Sequence, residues 1–113
     1  MSQITNKLSV SLRLIGVSHE AAEHCRSFFD LGDVRFRENK KLGGLVVALP
    51  VSSSEDASRI VSYLSSNEIN LKKRDLFVSI LTEYDSWIYD LPSFALDILH
   101  DLHCPVTISF TCV

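Results

Sequence analysis

Apolar and polar residues alternate with a period of two from Leu8 to Leu14, where Leu8, Val10, Leu12 and Leu14 are separated by Ser9, Ser11 and Arg13. Successive side chains of a strand point to opposite faces, so this pattern predicts a strand buried on one side. Gly16 ends it, Ser18 reads as an N-cap with Glu20 in the first turn, and Ala21, Ala22, Cys25, Phe28 and Phe29 recur at helical spacing until Gly32 supplies a stop. Val34 and Phe36 then alternate with Arg35 and Arg37. The turn from Asn39 to Gly44 leads into the fully apolar Leu45-Val46-Val47-Ala48-Leu49, which completes a hairpin.

Pro50 and a serine cluster precede a second helix, capped by Ser53 or Ser54, with Glu55 and Asp56 in its first turn, Ala57, Ile60, Val61 and Leu64 on one face, and an end at Asn67. Leu76 to Leu81 reads as a buried strand. Asp90-Leu91-Pro92 opens a third helix with Leu91, Ala95, Ile98, Leu99 and Leu102 as its stripe, and after Pro105 the alternation of Val106, Ile108, Phe110 and Cys112 with Thr107, Ser109 and Thr111 marks a last strand.

The order β-α-β-β-α-β-α-β predicts an α+β fold: a ferredoxin-like βαββαβ core with an added C-terminal αβ, helices on one face of a mainly antiparallel five-stranded sheet. Right-handed crossovers put the core helices on the same side, over an inward set of Leu8, Val10, Leu12, Leu14, Val34, Phe36, Ile108 and Phe110. Ser9, Ser11, Arg13, Arg35, Arg37, Thr107, Ser109 and Thr111 are left on a polar, wet face.

Composition narrows the classes. At 113 residues, the chain has room for one core, so a single α/β domain over 1–113 is expected. Every apolar run is interrupted by charge before it reaches membrane-spanning length. The opening Met-Ser-Gln-Ile-Thr-Asn-Lys has no basic and apolar leader pattern, so the expected location is cytoplasmic. A net charge of −3 argues against binding nucleic acid and for a basic partner. Cys25, Cys104 and Cys112 form no CxxC pair and read as reduced thiols in or near the core.

Sharper chemistry finds little support. Asp97, His100, Asp101, His103 and Cys104 crowd the end of the third helix, but no second group of ligands faces them, and histidines suit a helix C-terminus without metal. His24 and Cys25 are adjacent, yet neighbours on a helix point about 100° apart and do not form a nucleophile–base pair. Gly43-Gly44 lacks the P-loop lysine and the GxGxxG spacing and reads as a turn. The polar sheet face has no base-stacking aromatic pattern, and Arg13, Arg35 and Arg37 serve to hold an anion or to guard the sheet against edge pairing. No enzyme, metal or cofactor is expected.

Glu83-Tyr84-Asp85-Ser86-Trp87-Ile88-Tyr89-Asp90 stands apart, with the only tryptophan and two of the three tyrosines set among acidic and hydroxyl side chains, between a strand and a helix. Trp and Tyr anchor protein interfaces, and carboxylates beside them steer basic partners. The candidate partner-binding residues are therefore Glu83, Tyr84, Asp85, Trp87, Tyr89 and Asp90. An equal alternative has Tyr84 and Trp87 capping the core beneath the third helix.

Ser9-Val10-Ser11-Leu12-Arg13-Leu14-Ile15-Gly16, followed by the helix start Ser18-His19-Glu20, resembles the first β-α unit of small bacterial α/β domains, and Leu96 to Cys112 resembles their final helix and strand. Such domains are found beside polymorphic toxins. In size, acidity and lack of catalytic motifs, the chain resembles an immunity protein of a contact-dependent growth-inhibition or related toxin system. The resemblance implies a cytosolic inhibitor of a cognate toxin domain, commonly a nuclease, and carries over no residue roles. The alternative is a ferredoxin-like regulatory domain that binds a small ligand on its open sheet face or at a dimer interface formed by pairing sheets or edge strands. A homodimer through paired sheets or edge strands is compatible with either.

Overall fold

A computed structural model of the chain describes residues 7–31, 37–38, 41, 43–67, 69–83 and 90–112. The expected positions Gly32, Val34, Arg35 and Phe36 lie outside these, as do Tyr84 to Tyr89. The elements run β1 (Lys7–Val17), α1 (His19–Phe28), β2 (Arg37–Glu38), β3 (Leu45–Val51), α2 (Ser54–Ser66), β4 (Lys73–Thr82), α3 (Ser93–Leu102) and β5 (Val106–Cys112). The fold is α+β, with the five strands ordered β2-β3-β1-β4-β5. No helix among the described residues is long and apolar enough to cross a membrane.

The sheet is mixed rather than mainly antiparallel. β1 pairs antiparallel with β3 and β4, and β2 pairs antiparallel with β3, but β5 lies parallel to β4. The cause is α3, which carries the chain from the end of β4 back to its beginning, so the next strand repeats the direction of β4.

Local chemistry explains most boundaries. Ser18 accepts a hydrogen bond from Ala21 N–H at 3.2 Å, and Ser53, of the two candidate caps, accepts one from Asp56 N–H at 3.1 Å. α1 stops before Gly32 because Asp30 takes the left-handed conformation (φ 51°), and His103 does the same after α3 (φ 50°). β1 continues past Gly16 by a bulge between Ile15 and Val17. Gly16 (φ +79°) and Gly44 (φ +76°) meet there, and a Cβ on Gly44 would lie 2.7 Å from the carbonyl carbon of Gly16.

The core lies on one sheet face. Val10, Leu12, Leu14 and Val17 of β1, Val47, Leu49 and Val51 of β3, and Leu76 and Val78 of β4 pack against Ala22 and Cys25 of α1, Ala57, Ile60 and Tyr63 of α2, and Ala95, Ile98 and Leu102 of α3. Two members of the expected inward set depart from this arrangement: Ile108 is 62% exposed and Phe110 43%. α3 packs against α2 and β4 instead of covering β5. In that position, its stripe is buried on two sides, by a helix and by the sheet.

Candidate interaction surface

The open sheet face holds an ion pair that sequence reading did not anticipate. Asp75 lies directly opposite Arg13 across the β1–β4 pairing. Although on the face without helices, Asp75 is only 1% exposed. Arg13 donates to both carboxylate oxygens, from Nε at 2.8 Å and Nη2 at 2.5 Å, and Thr107 Oγ1 donates at 2.6 Å. Burial pushes the Asp75 carboxyl up, but these two partners and the Arg13 charge outweigh it, and the group titrates below the usual carboxylate range. Arg13 also lies 4.3 Å from the Phe77 ring centroid. It is thus committed within the sheet, whereas Arg37 is exposed on β2.

A second cluster joins α1 to α2. The buried Tyr63 ring packs on Phe28 (4.6 Å between centroids), Phe29 (5.1 Å) and His24 (5.6 Å). The Tyr63 hydroxyl bonds His24 Nδ1 and accepts from Cys25 Sγ at 3.5 Å. His24 and Cys25 therefore converge on one atom of the facing helix, a meeting that adjacency on α1 does not reveal. Burial raises the Cys25 pKa and so keeps the thiol protonated, which suits packing and opposes nucleophilic attack.

At the end of α3, His100 Nδ1 lies 3.2 Å from Asp101 Oδ1 and the His100 and His103 rings are 6.3 Å apart. Among the described residues, no group of three His, Cys, Asp or Glu side chains is placed to hold a metal ion. An open groove of about 570 Å³ runs beside α1, β3 and α2, lined by Phe29, Asp30, Leu31, Pro50, Asp56 and Arg59 among others. The Arg59 guanidinium lies over the Phe28 and Phe29 rings at 5.7 and 5.5 Å.

Among the described residues, exposed large apolar side chains stand at Phe28 and Leu96 singly and recur along β5. Its register places Val106, Ile108 and Phe110 beside Leu76, Val78 and Ile80, on the helix-bearing side of the sheet. There they remain open, at 38%, 62% and 43% exposure. The strand Val-Thr-Ile-Ser-Phe-Thr-Cys carries no charge, proline or glycine, and no described strand pairs with its outer edge. Glu83 and Asp90 are both exposed, and Glu83 follows the end of β4, beside which β5 also ends. The other four candidate residues, Tyr84, Asp85, Trp87 and Tyr89, lie outside the described residues. The signal for β5 was present in its alternation and lack of charge; the sequence pattern did not show that nothing covers it.

Compared with family models, curated proteins and solved structures, the chain matches none of them.

Proposed function

We propose that the chain is a non-enzymatic protein-binding domain on a ferredoxin-like core, with the β5 edge and the acidic end beyond β4 as its contact surfaces. The order β2-β3-β1-β4, with a helix after β1 and another after β3, supports the ferredoxin-like description. One observation carries the functional reading: Val106, Ile108 and Phe110 form an open apolar stripe on an edge strand without charge or proline. Soluble proteins ordinarily guard such edges, and contiguous exposed apolar residues mark contact sites.

The specific form of the proposal is neutralisation of a cognate toxin domain, in the manner of a bacterial immunity protein. Its support is the sequence resemblance, the net charge of −3 and the exposure of Glu83 and Asp90. A basic, phosphate-binding toxin surface would be attracted to these carboxylates. Tyr84, Asp85, Trp87 and Tyr89 complete the proposed contact on sequence grounds.

The test is association of the chain with any toxin domain that a neighbouring gene encodes, followed by stopped-flow fluorescence. Reversing both charges, Glu83→Lys with Asp90→Lys, should slow association at low salt about tenfold. No binding by the parent chain, or an association rate indifferent to the reversal, would remove the toxin-neutralising form. The groove lined by Arg59, Asp30 and Asp56 favours a second reading, a regulatory domain for a small ligand that carries both charges, such as an amino acid. That reading expects a melting-temperature rise with one member of an anion and amino-acid panel.

A further inference from the structure

We infer that the occupant of the β5 edge is a second copy of this chain, joined by antiparallel β5–β5 pairing about a two-fold axis at Ser109. The inference rests on the reading of that edge as a contact surface and supplies its partner. Pro105 sends its carbonyl to Leu76 N–H of β4 at 2.8 Å. In a parallel ladder, alternate residues turn both backbone groups to the same neighbour, so the N–H and C=O of Val106, Ile108 and Phe110 turn outward.

The strand is symmetric about its middle. With the axis at Ser109, Ile108 faces Phe110 of the second copy, Thr107 faces Thr111 and Val106 faces Cys112, so every apolar residue meets an apolar one and every hydroxyl a hydroxyl. This centre alone engages all seven residues of the strand while keeping the two faces continuous. Ile108 and Phe110 become the hydrogen-bonded pairs, and Ser109 meets its own copy in a non-hydrogen-bonded pair.

Charge agrees with this arrangement. β5 brings no charge to the seam, so no like charges oppose each other across it. Closing both stripes and both edges removes on the order of 900 Å² of surface, just under what a stable interface clears, so a weak, concentration-dependent dimer is expected.

Two measurements on the full chain test the pairing. Sedimentation should show monomer at ~1 μM and dimer at ~300 μM, and Ile108→Lys should remain monomeric throughout, with the melting temperature that the parent shows at ~1 μM. In a Cys112→Ser background, Ser109→Cys should form an intermolecular disulfide on mild oxidation, because its Cα lies about 4.5 Å from its mate. Thr111→Cys in the same background should not, because four residues of offset separate the mates by roughly 14 Å.

A parent chain monomeric at ~300 μM, a dimer untouched by Ile108→Lys, or a cross-link at position 111 without one at 109 would each overturn the pairing. If the parent is monomeric and Ile108→Lys abolishes binding of the toxin domain, the edge remains a contact surface and only self-pairing falls. If the chain dimerises as described and ignores the toxin domain, self-pairing stands and the toxin reading falls.

Discussion

Removing Arg13 should do more harm than removing Arg13 and Asp75 together. In Arg13→Met, the methionine keeps an apolar contact with Phe77, but it withdraws two hydrogen bonds and the positive charge from a carboxylate that is 1% exposed. Among the described residues, only the Thr107 hydroxyl still donates to it. Breaking a fully buried pair from one side costs about 3–5 kcal/mol, and the low end applies here because the Arg13 side chain is 27% exposed, whereas replacing both partners by packed apolar groups is commonly neutral or stabilising. Arg13→Met with Asp75→Leu should therefore recover most of the loss in urea melts at pH 7.

The pH dependence gives an independent sign. In the parent, Asp75 titrates below its ordinary value. Its stabilisation is thus full above the unfolded carboxylate pKa of about 3.9 and disappears as pH falls through the lower folded value. In Arg13→Met, burial becomes dominant, the folded pKa should lie above the unfolded one, and Asp75's contribution to stability should rise as pH falls toward 4. The slope from this one group is bounded at about 1.4 kcal/mol per pH unit, in opposite directions for the two proteins. Parallel stability–pH curves for parent and Arg13→Met, or a double variant no more stable than the single, would refute the argument.

Other substitutions probe separate parts of the fold. Gly44→Ala combines a positive φ of +76° with a 2.7 Å approach to the Gly16 backbone, so a loss of about 2–4 kcal/mol is expected in chemical denaturation. Ser53→Ala removes the cap on Asp56 N–H and should cost about 1 kcal/mol by the same measurement. Tyr63→Phe keeps the aromatic packing but deletes the hydroxyl shared by His24 and Cys25, for a loss of about 1 kcal/mol. Thiol labelling of the native protein should modify exposed Cys112 and spare buried Cys25 until unfolding, and rapid native labelling of Cys25 would contradict its raised pKa and burial.

Where one strand or helix carries its own information, the sequence was legible. The alternation from Leu8 to Leu14, the caps at Ser18 and Ser53 and the stripe through Ala95, Ile98 and Leu102 all reappear as structure. Where the answer depends on a partner strand, it was not. The apolar run places the start of a strand at Leu76, yet β4 begins at Lys73, because Asp75 is neutralised by Arg13 across the sheet and Arg74 donates to the Leu102 carbonyl. The expected apolar run ends at Leu49, but β3 continues through Pro50, opposite Ser11 of β1, to Val51, beyond the reach of β2, which pairs only with Leu45 and Val46.

The candidate site escaped for a related reason. Alternation reports which side chains share a face and says nothing about what covers that face. Val106, Ile108 and Phe110 have the same pattern as Val10, Leu12 and Leu14, and their register puts them on the same side of the sheet. The difference lies in position. β1 is central and sits under helices drawn together by their own contacts, while α3, connecting two adjacent strands, can bury its stripe against α2 and β4 without reaching the edge. An added αβ unit on a sheet already roofed by two helices therefore produces an apolar outer strand as a consequence of its own packing. Such a strand needs either guarding charges or company. β5 has no charges of its own, and the residues that a two-fold partner would place opposite each other match in character from end to end.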